Sequence, residues 1–369
     1  MASRSSHPLG DIAFDGLEFY VGNALQAAYY YSAAFGFDVV AYAGPETGVP
    51  DRVSYVLVQN GLRFVLTASL RGDDAIAEHV ARHGDGIRDV AITVRDARAA
   101  FDAAVAAGAP AIAEPRVRTD EWGSVVSASI GTYGDTIHTF VQRDGYRGVF
   151  LPGYRPREPL ARARVAVGLS HIDHCVGNVG WGEMETWVDY YHRVFGFSQL
   201  ISFDDQDIST EYTALRSKVM TDARNVVKFP INEPAEGRMK SQIEEFLDFY
   251  RGPGVQHVAI ATNDIVATVR ALRGNGVQLL ATPSTYYDEL EQRIGRIDEA
   301  TGVLRELGIL VDRDDLGYML QIFTQPLGDR PTLFFEIIQR KGSLSFGKGN
   351  FKALFVAIER EQAKRGTLR

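Results

Sequence analysis

Among its 369 residues the chain has one cysteine, Cys175, so no internal disulfide can form and a reducing compartment is expected. It has no tract of lysine or arginine, and its formal net charge is -8. That balance argues against nucleic acid as a partner and does not favour an anionic membrane surface. No apolar stretch approaches membrane-spanning length. The polar opening, residues 1–10, has no apolar run of signal-peptide length and reads as a loose leader. A cytoplasmic enzyme without a membrane partner is the resulting expectation. The composition, 45% hydrophobic and 23% charged, is that of a soluble globular protein, and the length allows two or three domains with cores of their own.

The chain does have a repeat. Gly254-Val255-Gln256-His257-Val258-Ala259-Ile260 restates Gly86-Ile87-Arg88-Asp89-Val90-Ala91-Ile92 at an offset of 168 residues. The same offset joins Asp264 to Asp96, Gly276 to Gly108 and Pro283 to Pro115. Tyr190-Tyr191 with Phe195-Gly196-Phe197 restates Tyr30-Tyr31 with Phe35-Gly36-Phe37, and Gly177-Asn178 restates Gly22-Asn23. Several matches in one order indicate an internal duplication. The expected boundaries are a first domain over 11–150, a proline- and arginine-rich linker over 151–169, and a second domain over 170–369. Alternating strands at 17–21, 38–43, 54–59, 63–67, 84–93, 125–130 and 136–142, with helices at 24–35 and 97–107, predict an α+β fold. One sheet face can then pack on helices while the other lines a cavity. Residues 284–311 read as an insertion, and 350–364 as a C-terminal helix with Phe351, Leu354, Phe355 and Ile358 on one face.

The copies differ where chemistry is possible. His174, His257 and Glu336 of the second copy match Phe19, Asp89 and Thr139 of the first. Two histidines and a carboxylate on three strands form the facial triad that suits non-haem Fe(II) and leaves positions open. A lone strand histidine is more often a satisfied core residue than a ligand. Glu336 resists that reading, because a carboxylate among Phe334, Phe335, Ile337 and Ile338 is costly to bury unless paired or bound to metal. His79, His83 and His192 sit on helices or their ends and read as structural, as does His138. By alternation Gln321 and Phe323 share a face, Asn232 reads as a turn residue, and Gln256 points away from His257.

Ile172-Asp173-His174-Cys175-Val176-Gly177-Asn178, Lys228-Phe229-Pro230-Ile231-Asn232-Glu233-Pro234, Gly254-Val255-Gln256-His257, Leu320-Gln321-Ile322-Phe323-Thr324, Phe334-Phe335-Glu336-Ile337-Ile338 and the tail from Gly347 to Phe355 carry a resemblance. Over nearly its whole length the chain resembles the 4-hydroxyphenylpyruvate dioxygenase family of the vicinal-oxygen-chelate superfamily. The resemblance implies two tandem domains of paired βαβββ modules, each a half-open β-barrel, the first without metal. It implies Fe(II) on His174, His257 and Glu336, with Gln321, Phe323, Asn232 and Gln256 in the catalytic pocket. Ser217, Gln242, Phe335, Asn350, Phe351 and Leu354 are implied substrate contacts, and the C-terminal helix an implied gate. The implied reaction takes 4-hydroxyphenylpyruvate and O₂ to homogentisate and CO₂ in tyrosine catabolism, in a homo-oligomer (dimer or tetramer). Alternatives are 4-hydroxymandelate synthase chemistry, a metal-free binding protein, and a Zn(II) or Mn(II) enzyme.

Overall fold

The computed structural model describes residues 9–204 and 212–368. Of the expected leader, only the last two residues fall in this range. The first half runs β1 (Ala13–Tyr20), α1 (Ala24–Phe35), β2 (Asp38–Ala43), β3 (Arg52–Gln59), β4 (Leu62–Ser69), α2 (Ala75–His83), β5 (Gly86–Thr93), α3 (Ala97–Ala106), β6 (Ala111–Asp120), β7 (Gly123–Gly131), β8 (Ile137–Gln142), and a short β9 (Arg155–Pro156). The second runs β10 (Leu169–Asn178), α4 (Met184–Phe195), β11 (Ser198–Phe203), β12 (Ala214–Thr221), β13 (Lys228–Ala235), α5 (Gln242–Tyr250), β14 (Gly254–Thr262) and α6 (Ile265–Gly274). It continues with α7 (Leu290–Ile294), α8 (Thr301–Leu307), β15 (Leu310–Asp314), β16 (Gly317–Phe323), β17 (Phe334–Lys341) and α9 (Phe351–Arg365). Among the described residues no helix is long and apolar enough to cross a membrane.

Local chemistry sets these elements alike in both copies. The Asp96 and Asp264 side chains cap α3 and α6 by accepting from the backbone N–H of Ala99 and Ala267. α1 and α4 both stop at a left-handed glycine, Gly36 (φ 77°) and Gly196 (φ 65°), a conformation that costs other residues more. The two sheets share one strand order, β2-β3-β4-β1-β5-β8-β7-β6 and β11-β12-β13-β10-β14-β17-β16-β15. In each, a central antiparallel pair (β1 with β5, β10 with β14) is flanked by parallel neighbours. Each half is therefore two βαβββ modules joined back to back, curled into an open barrel.

Strand register corrects the match of His174 to Phe19 and that of Gly177-Asn178 to Gly22-Asn23, since Gly177 pairs with Val255 where Phe19 pairs with Ile87. His174 pairs with Ala259, and Gly16 pairs with Ala91, the residue at offset 168 from Ala259. Gly16, not Phe19, occupies the place of His174, because the connection from strand to helix differs in length between the copies. Phe19 turns instead to the core, against Phe64 and Tyr31. The other two matches hold in register: Asp89 pairs with Ile137 as His257 pairs with Phe334, which puts Thr139 at the place of Glu336.

With a glycine in place of one histidine, the first copy has no triad at that position. The Asp89 carboxylate there accepts from the Thr139 backbone N–H at 3.0 Å and from the Thr139 hydroxyl. Burial, reinforced by the charge of Glu18, outweighs these bonds and pushes Asp89 up to about 7. A carboxyl raised in the folded state stabilises below its unfolded value, and that contribution disappears as the pH rises to about 7. Asp89→Asn is expected to flatten this loss, with a gain over the parent at pH 8 of at most about 4 kcal/mol. Urea unfolding at pH 5 and pH 8 measures it; equal pH dependence in both proteins would refute the assignment.

The halves pack by exchanging a residue. Phe335 of β17 is fully buried against Phe35, Phe64 and Tyr31 of the first half, ring centres 5.4–6.1 Å away. His138 of β8, its counterpart, inserts among Tyr191, Phe195 and Phe229 of the second half. The His138 Nδ1 faces the Val90 carbonyl at 2.9 Å and its Nε2 meets the Tyr191 hydroxyl at 2.8 Å. Burial holds this imidazole down at about 4, so it stays neutral and donates to one partner while accepting from the other.

Candidate metal centre

Two β-bulges build the centre. On β10, Ile172 pairs with Ile260 and His174 with Ala259, leaving Asp173 as the extra residue. On β14, His257 pairs with Val176 and Val255 with Gly177, leaving Gln256 extra. A bulge breaks strict alternation and turns two consecutive side chains toward one side. This corrects the expectation that Gln256 points away: it lines the same cavity as His257. Each bulged residue then serves the histidine that follows it. Asp173 Oδ1 lies 2.7 Å from His174 Nδ1, and Gln256 Oε1 lies 3.0 Å from His257 Nδ1. An N–H on each Nδ1 leaves the lone pair on Nε2, the arrangement of metal-ligating histidines.

Glu336 completes the set from β17, where it pairs with Ala259. Its Oε2 lies 3.4 Å from His174 Nε2 and 3.6 Å from His257 Nε2. The longer distance is no hydrogen bond, and both are spacings of neighbouring ligands around one cation. Ligand atoms of all three residues lie within 4.8 Å of one another. Burial would raise the Glu336 carboxyl, but the two histidines outweigh it and hold it at about 2, an anion at any working pH. Burial lowers His257. It would also lower His174, but Asp173 and Glu336 pull that imidazole upward, so two carboxylates draw positive charge to this point. The donor set fits a divalent metal with open positions.

Behind His174 lies an ion pair. Arg340 Nε and Nη2 reach the Asp173 carboxylate at 2.8 and 2.9 Å, while Nη1 donates to the Ser343 and Ser345 carbonyls. Asp173 is 4% exposed. Burial would raise its carboxyl, but His174 and Arg340 hold it well below the usual aspartate range.

The triad opens on a cavity. Of the residues expected there, Ser217, Asn232, Gln242, Gln256, Gln321, Phe323, Phe351 and Leu354 line it with the triad. Ser217 and Asn232 are directly paired across β12 and β13, and Phe323 is paired with Glu336 across β16 and β17. The structure does not bring Phe335 or Asn350 to the cavity. Phe335 follows Glu336 and alternates to the opposite face, into the socket of the first half. Asn350 is fully buried at the start of α9, and its Oδ1 accepts from the Tyr286 hydroxyl at 2.6 Å.

Sequence reading missed several walls. Phe334 stacks on the His257 ring (4.8 Å, 19°), and Phe346 lies 4.9 Å from the His174 ring. Alternation from Glu336 could have found Phe334; Phe346 sits in a loop and gives no periodic signal. Phe203, Leu215, Pro230 and Phe355 complete an apolar wall. Gly347 follows Phe346 with φ +80°, a conformation that favours glycine, and a Cβ there would come within 2.5 Å of the Gln321 amide and push that side chain aside.

α9 covers the cavity with Phe351, Leu354 and Phe355. It starts at Phe351, and Asn350 is its cap rather than its first residue. Its far end is tied down by Arg365 on the Glu245 carboxylate (2.8 and 3.2 Å), and its middle by Glu359, which accepts from Thr213 at 2.7 Å.

The sequence pattern of the Glyoxalase/Bleomycin resistance protein/Dioxygenase superfamily matches residues 13–146 and 171–321. The chain belongs to this superfamily. The two matches fall one on each sheet, the first spanning β1 to β8 and the second β10 into β16. Superfamily relatives similar to the chain over nearly its full length include the 4-hydroxyphenylpyruvate dioxygenase of Yarrowia lipolytica, 47% identical over 96% of this chain and 93% of the relative. That of Dictyostelium discoideum is 48% identical over 96% of this chain and 99% of the relative. Among solved superfamily structures, a mutant of 4-hydroxymandelate synthase from Streptomyces coelicolor superposes with a TM-score of 0.85 at 35% identity, covering 95% of this chain and 98% of that one.

Proposed function

We propose that the protein is an Fe(II)-dependent 4-hydroxyphenylpyruvate dioxygenase, converting its substrate and O₂ to homogentisate and CO₂. The observation that carries the reading is the buried His174–His257–Glu336 set at the base of an apolar cavity, in a chain 47–48% identical to dioxygenases of that name over 96% of its length. His174, His257 and Glu336 would hold Fe(II), which when bound supplies a chelation site for the 2-oxo acid and the activation of O₂.

The chain's own residues bind, orient and keep water out. Phe334 against His257 and Phe346 against His174 wall the ligands off from solvent. Phe323, beside Glu336, and the apolar face of α9 take the aromatic ring. The amides of Gln321, Gln256, Asn232 and Gln242 and the Ser217 hydroxyl offer donors and acceptors to the phenol and the 2-oxo acid. In this reading residues 11–150 are structural, 151–169 link, and 170–369 carry the chemistry, with 350–364 as gate. The proposed setting is tyrosine catabolism in the cytoplasm, in a dimer or tetramer.

The alternative is hydroxylation at the benzylic carbon, since the solved relative in superposition is a 4-hydroxymandelate synthase. Both products arise from one substrate. Incubating the Fe(II)-loaded protein with 4-hydroxyphenylpyruvate under O₂ and separating the products is the test. Homogentisate as the main product is expected; 4-hydroxymandelate would reverse the assignment, and no turnover would leave a binding protein.

A further inference from the structure

A second cluster of ligand-type side chains lies outside the cavity, in the first half. α2 carries His79 and His83, four residues apart and so on one helix face, the spacing that paired zinc-binding histidines use. The turn between β7 and β8 brings Asp135 to them, and a ligand atom from each of the three lies within 4.8 Å of the others. The histidines are buried and Asp135 is partly exposed, which leaves a path from solvent.

Hydrogen bonding at this cluster does not close with protein atoms alone. His79 is 5% exposed, and neither of its ring nitrogens has a hydrogen-bond partner among the described residues. Buried polar groups are normally satisfied, and each exception needs a cause. His83 has the opposite fault. Its Nδ1 faces the Tyr250 carbonyl and its Nε2 lies 2.8 Å from Asp135 Oδ2, so both nitrogens meet acceptors. A neutral imidazole can donate to only one of them. Either the ring carries an extra proton, or Nε2 and the carboxylate share a cation. The arrangement repeats that of His174 and His257: Nδ1 engaged by an oxygen, Nε2 turned to a carboxylate.

We propose that His79, His83 and Asp135 form a second metal site, for a divalent cation of the zinc type, with solvent completing the coordination. Two imidazoles and a carboxylate suit that class, and three protein ligands leave a fourth position for water. Burial holds His79 down at about 3, which keeps its lone pair available. His83 is the last residue of α2, where the helix dipole favours a cation. Arg82, 3.6 Å from Asp135, competes for that carboxylate, but it is more than half exposed and screened by water. Because His83 also holds the Tyr250 carbonyl at the end of α5, an ion here ties the first half to the second.

Equilibrium dialysis of the metal-free full chain against Zn(II) tests the proposal. The parent should bind one equivalent more than either Asp135→Asn or His79→Gln. Glu336→Ala, which removes the other centre, should keep the equivalent that those two variants lose. Co(II) added to Glu336→Ala should give a visible absorption band of few-coordinate cobalt, absent from Glu336→Ala/Asp135→Asn; this reads the site directly if His79→Gln fails to fold. After Fe(II) loading, Asp135→Asn should turn over 4-hydroxyphenylpyruvate like the parent, so failure of the second site is separable from failure of the proposed reaction. Equal Zn(II) binding by the parent, Asp135→Asn and His79→Gln, or a cobalt band unchanged by Asp135→Asn, overturns the proposal.

Discussion

Glu336→Ala is expected to abolish oxygen uptake with 4-hydroxyphenylpyruvate and to leave the protein purified after anaerobic Fe(II) loading with little iron at the triad. The carboxylate is the anionic member of the set, and its Oε2 stands 3.4 and 3.6 Å from the two Nε2 atoms. Removing it leaves two buried imidazoles with no anionic ligand between them. Loss of a residue that merely orients a metal ligand costs about 10–100-fold in affinity or activity, so loss of the ligand itself should exceed about 100-fold. The fold should persist, because Glu336 contributes no packing to the aromatic socket that Phe335 fills. Iron analysis, oxygen uptake and circular dichroism on one preparation separate these effects. Iron content and uptake equal to the parent would remove Glu336 from the centre.

Asp173→Asn should have the next largest effect, on two readouts together. Arg340 makes two bonds to the Asp173 carboxylate in a buried setting, and breaking one side of such a pair costs about 3–5 kcal/mol, because the remaining charge has no partner. His174 would also lose the carboxylate at its Nδ1, and metal affinity should fall about 10–100-fold. The sign with pH follows from the depressed carboxyl. Its stabilisation is present above the unfolded aspartate value and is lost as the pH falls through the lower folded value, so the parent should weaken in strong acid more steeply than the variant. Urea unfolding from pH 2 to 7 and an Fe(II) titration are the measurements. A variant that loses stability but binds iron as tightly as the parent would make Asp173 a structural residue only.

The duplication was legible because its matches keep one order and one block of them keeps a constant offset, and two members of the triad followed from comparing the copies. His174 was recognised as a ligand but matched to Phe19, because the strand-to-helix connections differ in length and neighbouring motifs carried the alignment. The bulges were not legible. Nothing in the residue types around Asp173 or Gln256 announces an extra residue, and strict alternation turned Gln256 the wrong way. Phe335 shows the reverse case: alternation from Glu336 would have turned it to the far face, and family resemblance put it in the pocket. The strand Ala111–Asp120 escaped notice because it is polar, largely exposed at the sheet edge and interrupted by Pro115. Arg340, which anchors Asp173 from 167 residues away, is a partner that only the fold reveals.

The exchange of Phe335 and His138 gives the half that lacks the triad a continuing purpose. Each half presents an aromatic hollow that the other fills, so neither can separate without exposing a large ring and emptying a socket. Unfolding should therefore be shared between the halves, as between two subunits of an obligate dimer fused into one chain. Phe335 also adjoins Glu336 on the same strand, so the hollow in the first half acts as a mould for the ligand's backbone. A copy without the triad is held in the molecule in this way, because the triad's strand is cast against it.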